Sequence, residues 1–356
     1  MTAETTDILV INPGSTSSKI AVYRDGKEFF VESLSHDPEK LLSYGGIAGQ
    51  MDYRKDVIKK VLEKKNYDIK QLKAVVGRGG MVIGLKGGGY KVTPKLCEKM
   101  ASDDIPQHAS SLGALIAYSI AEPLGIPAYI YDSTMGCELI DVAKITGIKG
   151  LEKYGCCHVL NSRAQAMKYA ESIGKPYKDL NLIVCHMGGG VTANAQQNGK
   201  IIDTAAYDDG PMAPERSGGI PLILFKQLCF DGKHTEKDID NLISGKGGLY
   251  SYLGTTNCIE IEKRIEVGDE EAKLVYEAMA YQISKSIAAM SVALKGKVDA
   301  VILTGGVAHS KTLTDLIEEY AGHIGKIVVM AGENELEALA NGALRMLKGE
   351  EEAQEY

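Results

Sequence analysis

The sequence predicts an α/β protein of two related lobes, each a mixed sheet flanked by helices, and three observations carry that expectation. The first is a stretch that occurs twice. Ile8 to Phe30, ILVINPGSTSSKIAVYRDGKEFF, reads as an apolar strand, a small-residue loop, an alternating strand, a tight turn and a third strand; Leu182 to Asp203, LIVCHMGGGVTANAQQNGKIID, repeats the order. Asn12 in one copy answers to His186 in the other within one residue of slip. The second observation is the pair of turns, Asp25-Gly26-Lys27 and Asn198-Gly199-Lys200. Asp-Gly and Asn-Gly favour type I′ hairpins because both residues tolerate positive φ. The third is length, since 356 residues exceed one ordinary core. A duplicated strand, glycine loop and hairpin suggests two lobes facing each other, each presenting backbone N–H groups to an anion.

Composition narrows the function classes. Apolar residues make up 44% and charged residues 24% of the chain, and no window approaches the run of about 18 apolar residues that a membrane span needs. The start, MTAETTD, lacks the basic and apolar regions of a secretory signal, so a cytoplasmic protein is expected. Seven cysteines with no C-x-x-C spacing argue for reduced, mostly buried thiols rather than disulfides or a thiolate zinc site. A net charge of −7 without a Lys/Arg block argues against sequence-independent nucleic-acid binding. Any anionic ligand must then be met by a few placed cations. Glu350, Glu351, Glu352 and Glu355 read as a frayed, solvated end.

In chain order, Ser35 to Gly49 is a polar connector, and Met51 to Lys65 is an amphipathic helix through Val57, Ile58, Val61 and Leu62. Leu72 to Val76 is a strand that breaks at Gly77-Arg78-Gly79-Gly80, where flanking glycines expose the guanidinium; an idle surface arginine is the competing reading. Gly84 to Gly89 is a flexible loop. His108 precedes a helix over Ala109 to Ile120 and either faces a ligand or caps the helix. Ala128 to Tyr131 is a strand ending in Asp132, a position suited to a metal or catalytic carboxylate and equally to a helix cap. His158 and Asn161 open the helix that begins near Leu160. After the second duplicated unit comes a Gly/Pro-dense loop, DDGPMAPERSGGIP, with one arginine, Arg216. Ala272 to Leu294 is a long core helix with a Val275, Met279, Ile283, Ile287 and Met290 stripe. Ala300 to Ser310 repeats the strand-then-glycine theme, Ile327 to Met330 is a strand, and Glu335 to Lys348 is the last helix.

Three strand-to-glycine turns, at Asn12 to Ser18, His186 to Gly190 and Thr304 to Val307, suit a nucleotide, two on phosphates and one on the nucleoside. No G-x-x-x-x-G-K-[S/T] occurs, which excludes a Walker P-loop, and Gly77-x-Gly79 lacks the third glycine of a dinucleotide fold. N-P-G-S-T-S-S-K, G-R-G-G, H-M-G-G-G, E-R-S-G-G and L-T-G-G-V, in that order along nearly the whole chain, resemble the acyl kinases of the acetate kinase family, in the acetate and sugar kinase, heat-shock cognate and actin superfamily.

That resemblance implies two actin-like (ribonuclease H-like) lobes with the nucleotide in the cleft between them. One lobe, residues 1–155 with 333–356, takes the acyl substrate and the first phosphate loop; residues 156–332 bind the nucleotide. It implies ATP/ADP and Mg²⁺ as cofactors and a short-chain carboxylate and its acyl phosphate as substrates. A homo-oligomer is implied as well. Asn12, Ser15, Ser17 and Lys19 match the first phosphate loop, and His186 with Gly188, Gly189 and Gly190 the second. Thr304, Gly305 and Gly306 match the adenosine loop, and Asn257 lies in the segment beside the base. Arg78 and Arg216 match the arginines that bind the carboxylate and the moving phosphoryl group, with His108 and His158 as further active-site histidines. Asp132 and Glu335 match carboxylates near magnesium, with Glu333 as rival to the latter. Gly189, Gly219 and Ser162 stand where acetate kinases carry asparagine, aspartate and histidine, and these departures favour the butyrate branch. An actin-like filament protein or chaperone ATPase is the alternative of a different class, against which Arg78 and Arg216 argue.

Overall fold

The computed structural model describes residues 5–356; residues 1–4, the start of the polar, acidic N-terminal stretch, lie outside them. The chain divides into two compact units, one formed by the chain up to Gly136 together with Asn334–Tyr356, the other by Cys137–Glu333. The crossing at 136/137 precedes the 155/156 boundary read from the sequence because the intervening segment bonds to the second unit. Glu138 N donates to Ile201 O at 2.8 Å and Ile140 N to Ile202 O at 3.0 Å.

The first unit holds β1 (Asp7–Pro13), β2 (Ser17–Arg24), β3 (Lys27–Ser35), β4 (Leu72–Arg78), β5 (Gly89–Lys91) and β6 (Ala128–Tyr131), with α1 (Pro38–Leu42), α2 (Met51–Lys64), α3 (Pro94–Ala101), α4 (Leu112–Ala121) and α13 (Glu335–Leu347). Its sheet runs β3-β2-β1-β4-β6-β5. The apolar run Ile8 to Ile11 is fully buried in the central strand, against which α4 and α13 pack. Such a run is what a strand covered on both faces requires. Ile58 and Leu62 carry α2 into the same core.

The second unit holds α5 (Asp141–Lys144), α6 (Val159–Ser172), β7 (Leu182–Met187), β8 (Val191–Gln197), β9 (Lys200–Ala205), α7 (Leu222–Cys229), α8 (Glu236–Ile243), α9 (Gly248–Leu253), α10 (Cys258–Glu266), α11 (Glu270–Ala293), β10 (Ala300–Gly305), α12 (Lys311–Ala321) and β11 (Ile327–Ala331). Its sheet runs β11-β10-β7-β8-β9, which read in reverse repeats the first five strands of the other sheet. The duplication extends to detail. Both hairpin turns have left-handed residues in sequence, Asp25 (φ 51°) with Gly26 (φ 78°) and Asn198 (φ 52°) with Gly199 (φ 75°). Both second strands slip register against the third, between Val22 and Tyr23 and between Ala195 and Gln196. The α11 stripe from Val275 to Met290 lies in this unit's core, as its spacing requires.

Four sequence expectations are corrected. The polar connector after β3 contains α1, capped by Asp37, whose carboxylate accepts from Glu39 N at 2.9 Å. Gly77 belongs to β4, and it is glycine because a Cβ there would lie 2.1 Å from Gly113 O. The acidic C-terminal stretch is tied down: Glu351 accepts from Tyr131 Oη (2.8 Å) and Arg345 Nε (3.0 Å), Gln354 N donates to Gly89 O and Lys91 N to Gln354 O, both at 2.9 Å. The physical reason is the edge strand β5, whose open backbone groups the tail satisfies. All seven cysteines are free thiols, but only Cys157 and Cys185 are buried. No helix among the described residues is long and apolar enough to cross a membrane.

Candidate active site

In the first unit, Pro13 ends β1 and Gly14 N donates to Ser17 O at 2.8 Å, closing a tight loop that leaves Ser15 and Thr16 exposed. Ser17 and Lys19 open β2, with Lys19 opposite Asn12 in the β1/β2 ladder. Beneath the loop lies Arg54 of α2, fully buried. Its Nη1 donates to Gly14 O (2.9 Å), Ser17 O (2.8 Å) and Ser18 Oγ (3.1 Å), and its Nη2 to Ser15 O (2.8 Å) and Gln50 Oε1 (2.9 Å). One guanidinium therefore holds three loop carbonyls, and every acceptor named is neutral. An uncompensated buried cation favours an anion at the loop it supports.

His36 completes the underside, with Nε2 2.9 Å from Ser18 Oγ and its ring edge-on to Tyr53. Burial, with the Arg54 charge beside it, pushes His36 down to about 4. An unfolded histidine takes its proton near about 6.5. Between those limits the unfolded chain binds a proton that the folded chain refuses, so this contribution is complete above the upper limit. It falls by about 3 kcal/mol as pH drops through the lower one. Thermal midpoints measured between pH 4 and 7 should decline more steeply in acid for the unmodified protein than for His36→Asn; equal slopes would refute it.

At the end of β4, Arg78 Nη1 donates to Glu335 Oε2 (2.9 Å), which also accepts from Asn12 Nδ2 (2.7 Å); Asn12 Oδ1 lies 3.4 Å from Arg78 Nη1. Arg78, Asn12 and Glu335 are thus brought together, and Arg78 Nε has no hydrogen-bond partner among the described residues. Asp132 is buried at left-handed φ 45°, its Oδ1 accepting from Gly88 N at 2.7 Å. The glycine loop before β5 therefore holds a carboxylate in place. His108 caps the short helical turn Ala109–Ser111, its Nδ1 3.2 Å from Ser110 N, and its side chain is exposed.

Carboxylate oxygens are the hard donors that Mg²⁺ takes, and Mg²⁺ sites commonly combine one or two of them with substrate phosphates and water. Among the described residues no group of three or more His, Cys, Asp or Glu is placed to share an ion. Asp132 and Glu335 supply donors of that kind, with Asp132 Oδ1 accepting from Gly88 N and Glu335 Oε2 from Arg78 and Asn12.

In the second unit, His186 is the last but one residue of β7, fully buried, with the His158 ring stacked on it at 3.8 Å and 11°. His186 Nε2 lies 3.3 Å from Glu333 Oε1, and Nδ1 lies 2.8 Å from Asn161 Nδ2. His158 Nδ1 lies 3.0 Å from Thr192 Oγ1. The glycines that follow have separate reasons. A Cβ on Gly188 would lie 3.3 Å from His186 Nε2, on Gly189 2.9 Å from Glu215 Oε1, and on Gly190 2.5 Å from Arg216 Nη1. A Cβ would push the Arg216 and Glu215 side chains off Gly190 and Gly189 and crowd His186 at Gly188. Arg216 also lies over Tyr207, 5.7 Å from its ring centre, and its Nε has no hydrogen-bond partner among the described residues. Burial raises the Cys156 thiol to about 12, with the Asp208 charge adding to the effect, so it is a protonated neighbour of this loop.

Thr304 lies fully buried near the end of β10, and Gly305, the strand's last residue, turns at φ 89° where a Cβ would meet Met187 O at 2.3 Å. Gly306 is exposed with open space above it. Asn257 caps α10, its Oδ1 accepting from Ile259 N (3.0 Å) and Glu260 N (3.3 Å). Arg54, His36 and Glu215 escaped the sequence reading of the site, as did the bonding role of Asn161. A signal existed for Arg54, which stands four residues before Ile58 on the apolar stripe of α2.

Residues 141–335 match the acetokinase family. The chain is 46% identical over 351 residues to butyrate kinase 2 of Clostridium acetobutylicum, covering 98% of this chain and 99% of that protein. It is 42% identical over 352 residues to a probable butyrate kinase of Listeria monocytogenes, covering 98% and 99% respectively. In structure it resembles the acetate kinase of Porphyromonas gingivalis, with a TM-score of 0.78 over 96% of this chain and 100% of that one at 20% identity. That likeness speaks to the fold, two helix-flanked mixed sheets of the actin-like kind.

Proposed function

The chain belongs to the acetokinase family, and we propose that within it the protein acts as a butyrate kinase, moving the γ-phosphoryl group of ATP reversibly to the carboxylate of butyrate or a similar short fatty acid. The observation that carries this reading is near full-length identity of 46% with a curated butyrate kinase. The paired constellations of Asn12, Arg78 and Glu335 and of His186, Arg216 and the glycine loop accord with it.

The chemistry asks little covalent work of the protein. A carboxylate is ionised at neutral pH, so no general base is required, and catalysis reduces to alignment and charge stabilisation. Asn12, Ser15, Ser17 and Lys19 are assigned to the outer phosphates and Arg78 to the acyl carboxylate. In the second unit, His186 and the N–H groups of Gly189 and Gly190 donate to the phosphoryl oxygens, the Gly188 N–H closing the loop on Gly190 O, and Arg216 supplies a forked cation as two anions combine. His158 holds the His186 ring. Thr304, Gly305, Gly306 and Asn257 are assigned to the nucleoside, and His108 to the acyl side. Asp132 and Glu335 would hold Mg²⁺, which when bound offsets phosphate charge. Assembly as a homo-oligomer belongs to the same proposal.

The test is a mixture of pure protein, ATP, Mg²⁺ and butyrate with hydroxylamine as trap. Hydroxamate should form, and kcat/KM should be higher for butyrate than for acetate or propionate. No hydroxamate with any short fatty acid sinks the reading. A preference for acetate or propionate would instead move the protein to those substrates within the same chemistry.

A further inference from the structure

We propose that Asn161 is a positioning residue, whose side-chain amide fixes His186 as the tautomer with its proton on Nε2. The inference rests on the reading of His186 as a donor to the moving phosphoryl group. It follows from counting protons along one buried chain of contacts. Gly332 O accepts from Gly305 N at 3.2 Å and, on its second lone pair, from the Thr304 hydroxyl, whose Oγ1 also lies 3.2 Å away. A hydroxyl has one proton, so the side of Thr304 that faces Asn161, also at 3.2 Å, offers a lone pair. The Asn161 group that meets it must therefore be the NH₂. The same NH₂ lies 2.8 Å from His186 Nδ1, which makes that nitrogen an acceptor. A neutral imidazole then carries its proton on Nε2, facing Glu333 Oε1 at 3.3 Å.

Several features make this chain rigid. Asn161 and Thr304 are fully buried, and Asn161 sits in the first turn of α6, three residues after His158, whose ring lies nearly parallel on that of His186. Asn161 Oδ1 has no hydrogen-bond partner among the described residues, so the two donated bonds alone select the amide orientation. The tautomer matters because a donor must present N–H where charge develops, and an acceptor nitrogen there would repel phosphoryl oxygens. A second group that orients a histidine through its far nitrogen is the general way such a choice is enforced.

The experiment is a two-bond ¹H–¹⁵N correlation spectrum of protein labelled with [¹⁵N]histidine, with the His186 signals assigned by their loss in His186→Gln. The unmodified protein should show His186 protonated on Nε2 and bare on Nδ1. Asn161→Asp, which keeps the shape but presents only acceptors, should move proton density onto Nδ1. Asn161→Leu, which removes both bonds, should lower kcat about 10- to 100-fold with KM for ATP within about twofold, since the ring loses its aim rather than the nucleotide its contacts. A proton on Nδ1 in the unmodified protein, an Asn161→Asp spectrum unchanged from it, or a folded Asn161→Leu protein at full kcat would each overturn the assignment. The spectra decide the matter if Asn161→Leu does not fold. Failure of the unmodified protein to form hydroxamate would sink the kinase reading instead and leave the tautomer standing.

Discussion

Arg216→Ala should leave the protein folded and able to bind nucleotide while lowering kcat about 100- to 1,000-fold, the loss typical of one transition-state donor. The fold should survive because the Arg216 backbone keeps its place, its carbonyl accepting from Ala213 N at 3.0 Å, while the half-buried side chain anchors no other element through Nε. The kinetic loss should fall on kcat because the forked cation is required most when two anions combine. Arg216→Lys should recover only part of it, since an ammonium cannot reproduce the fork. Gly190→Ala makes an independent probe. Its new Cβ would stand 2.5 Å from Arg216 Nη1, so it should displace the guanidinium and lower kcat in the same direction. Full turnover by folded Arg216→Ala would remove the residue from the mechanism.

Arg54→Met should destabilise the protein by about 3–5 kcal/mol, because it strips the donor from several buried acceptors at once. Methionine fills similar space, so the loss would not be one of packing. What disappears is the common donor to Gly14 O, Ser15 O, Ser17 O and Gln50 Oε1, and buried acceptors without partners cost about 1–3 kcal/mol each. Arg54→Lys should recover only a fraction because one ammonium cannot span acceptors arranged around a plane. Urea unfolding of the three proteins, with ATP affinity measured in parallel, checks both stability and loop shape. A midpoint change worth less than about 1 kcal/mol would show that the loop holds itself.

The strands and hairpins were legible because their signals are local: Asp25-Gly26 and Asn198-Gly199 declare their turns, and Ile8 to Ile11 declares a strand covered on both sides. The glycine loops were legible for the same reason, as backbone that must stay bare. Arg54 was not, because a charge on an amphipathic helix is usually solvated, and only the fold shows that this one points under a loop forty residues earlier. Gly77 was read as freedom for Arg78 and proves to be clearance for Gly113, a long-range contact with no local signature. The tail was read from its charge alone, whereas its fate is decided by the open edge of β5. His108 had two readings, and the structure shows the capping bond of the second.

The return of α13 to the first unit has a consequence for biosynthesis. Leu339, Ala340 and Ala343 of α13 are fully buried in a unit whose strands β1 to β6 leave the ribosome first. The sheet of that unit must wait, with one helix missing, while residues 137–333 are translated and fold. The early strands therefore emerge with an apolar face awaiting its cover, the condition in which nascent chains recruit chaperones or mispair. Truncation before α13 should then release a soluble second unit more readily than a folded first one, although the first unit contains most of the residues made earliest.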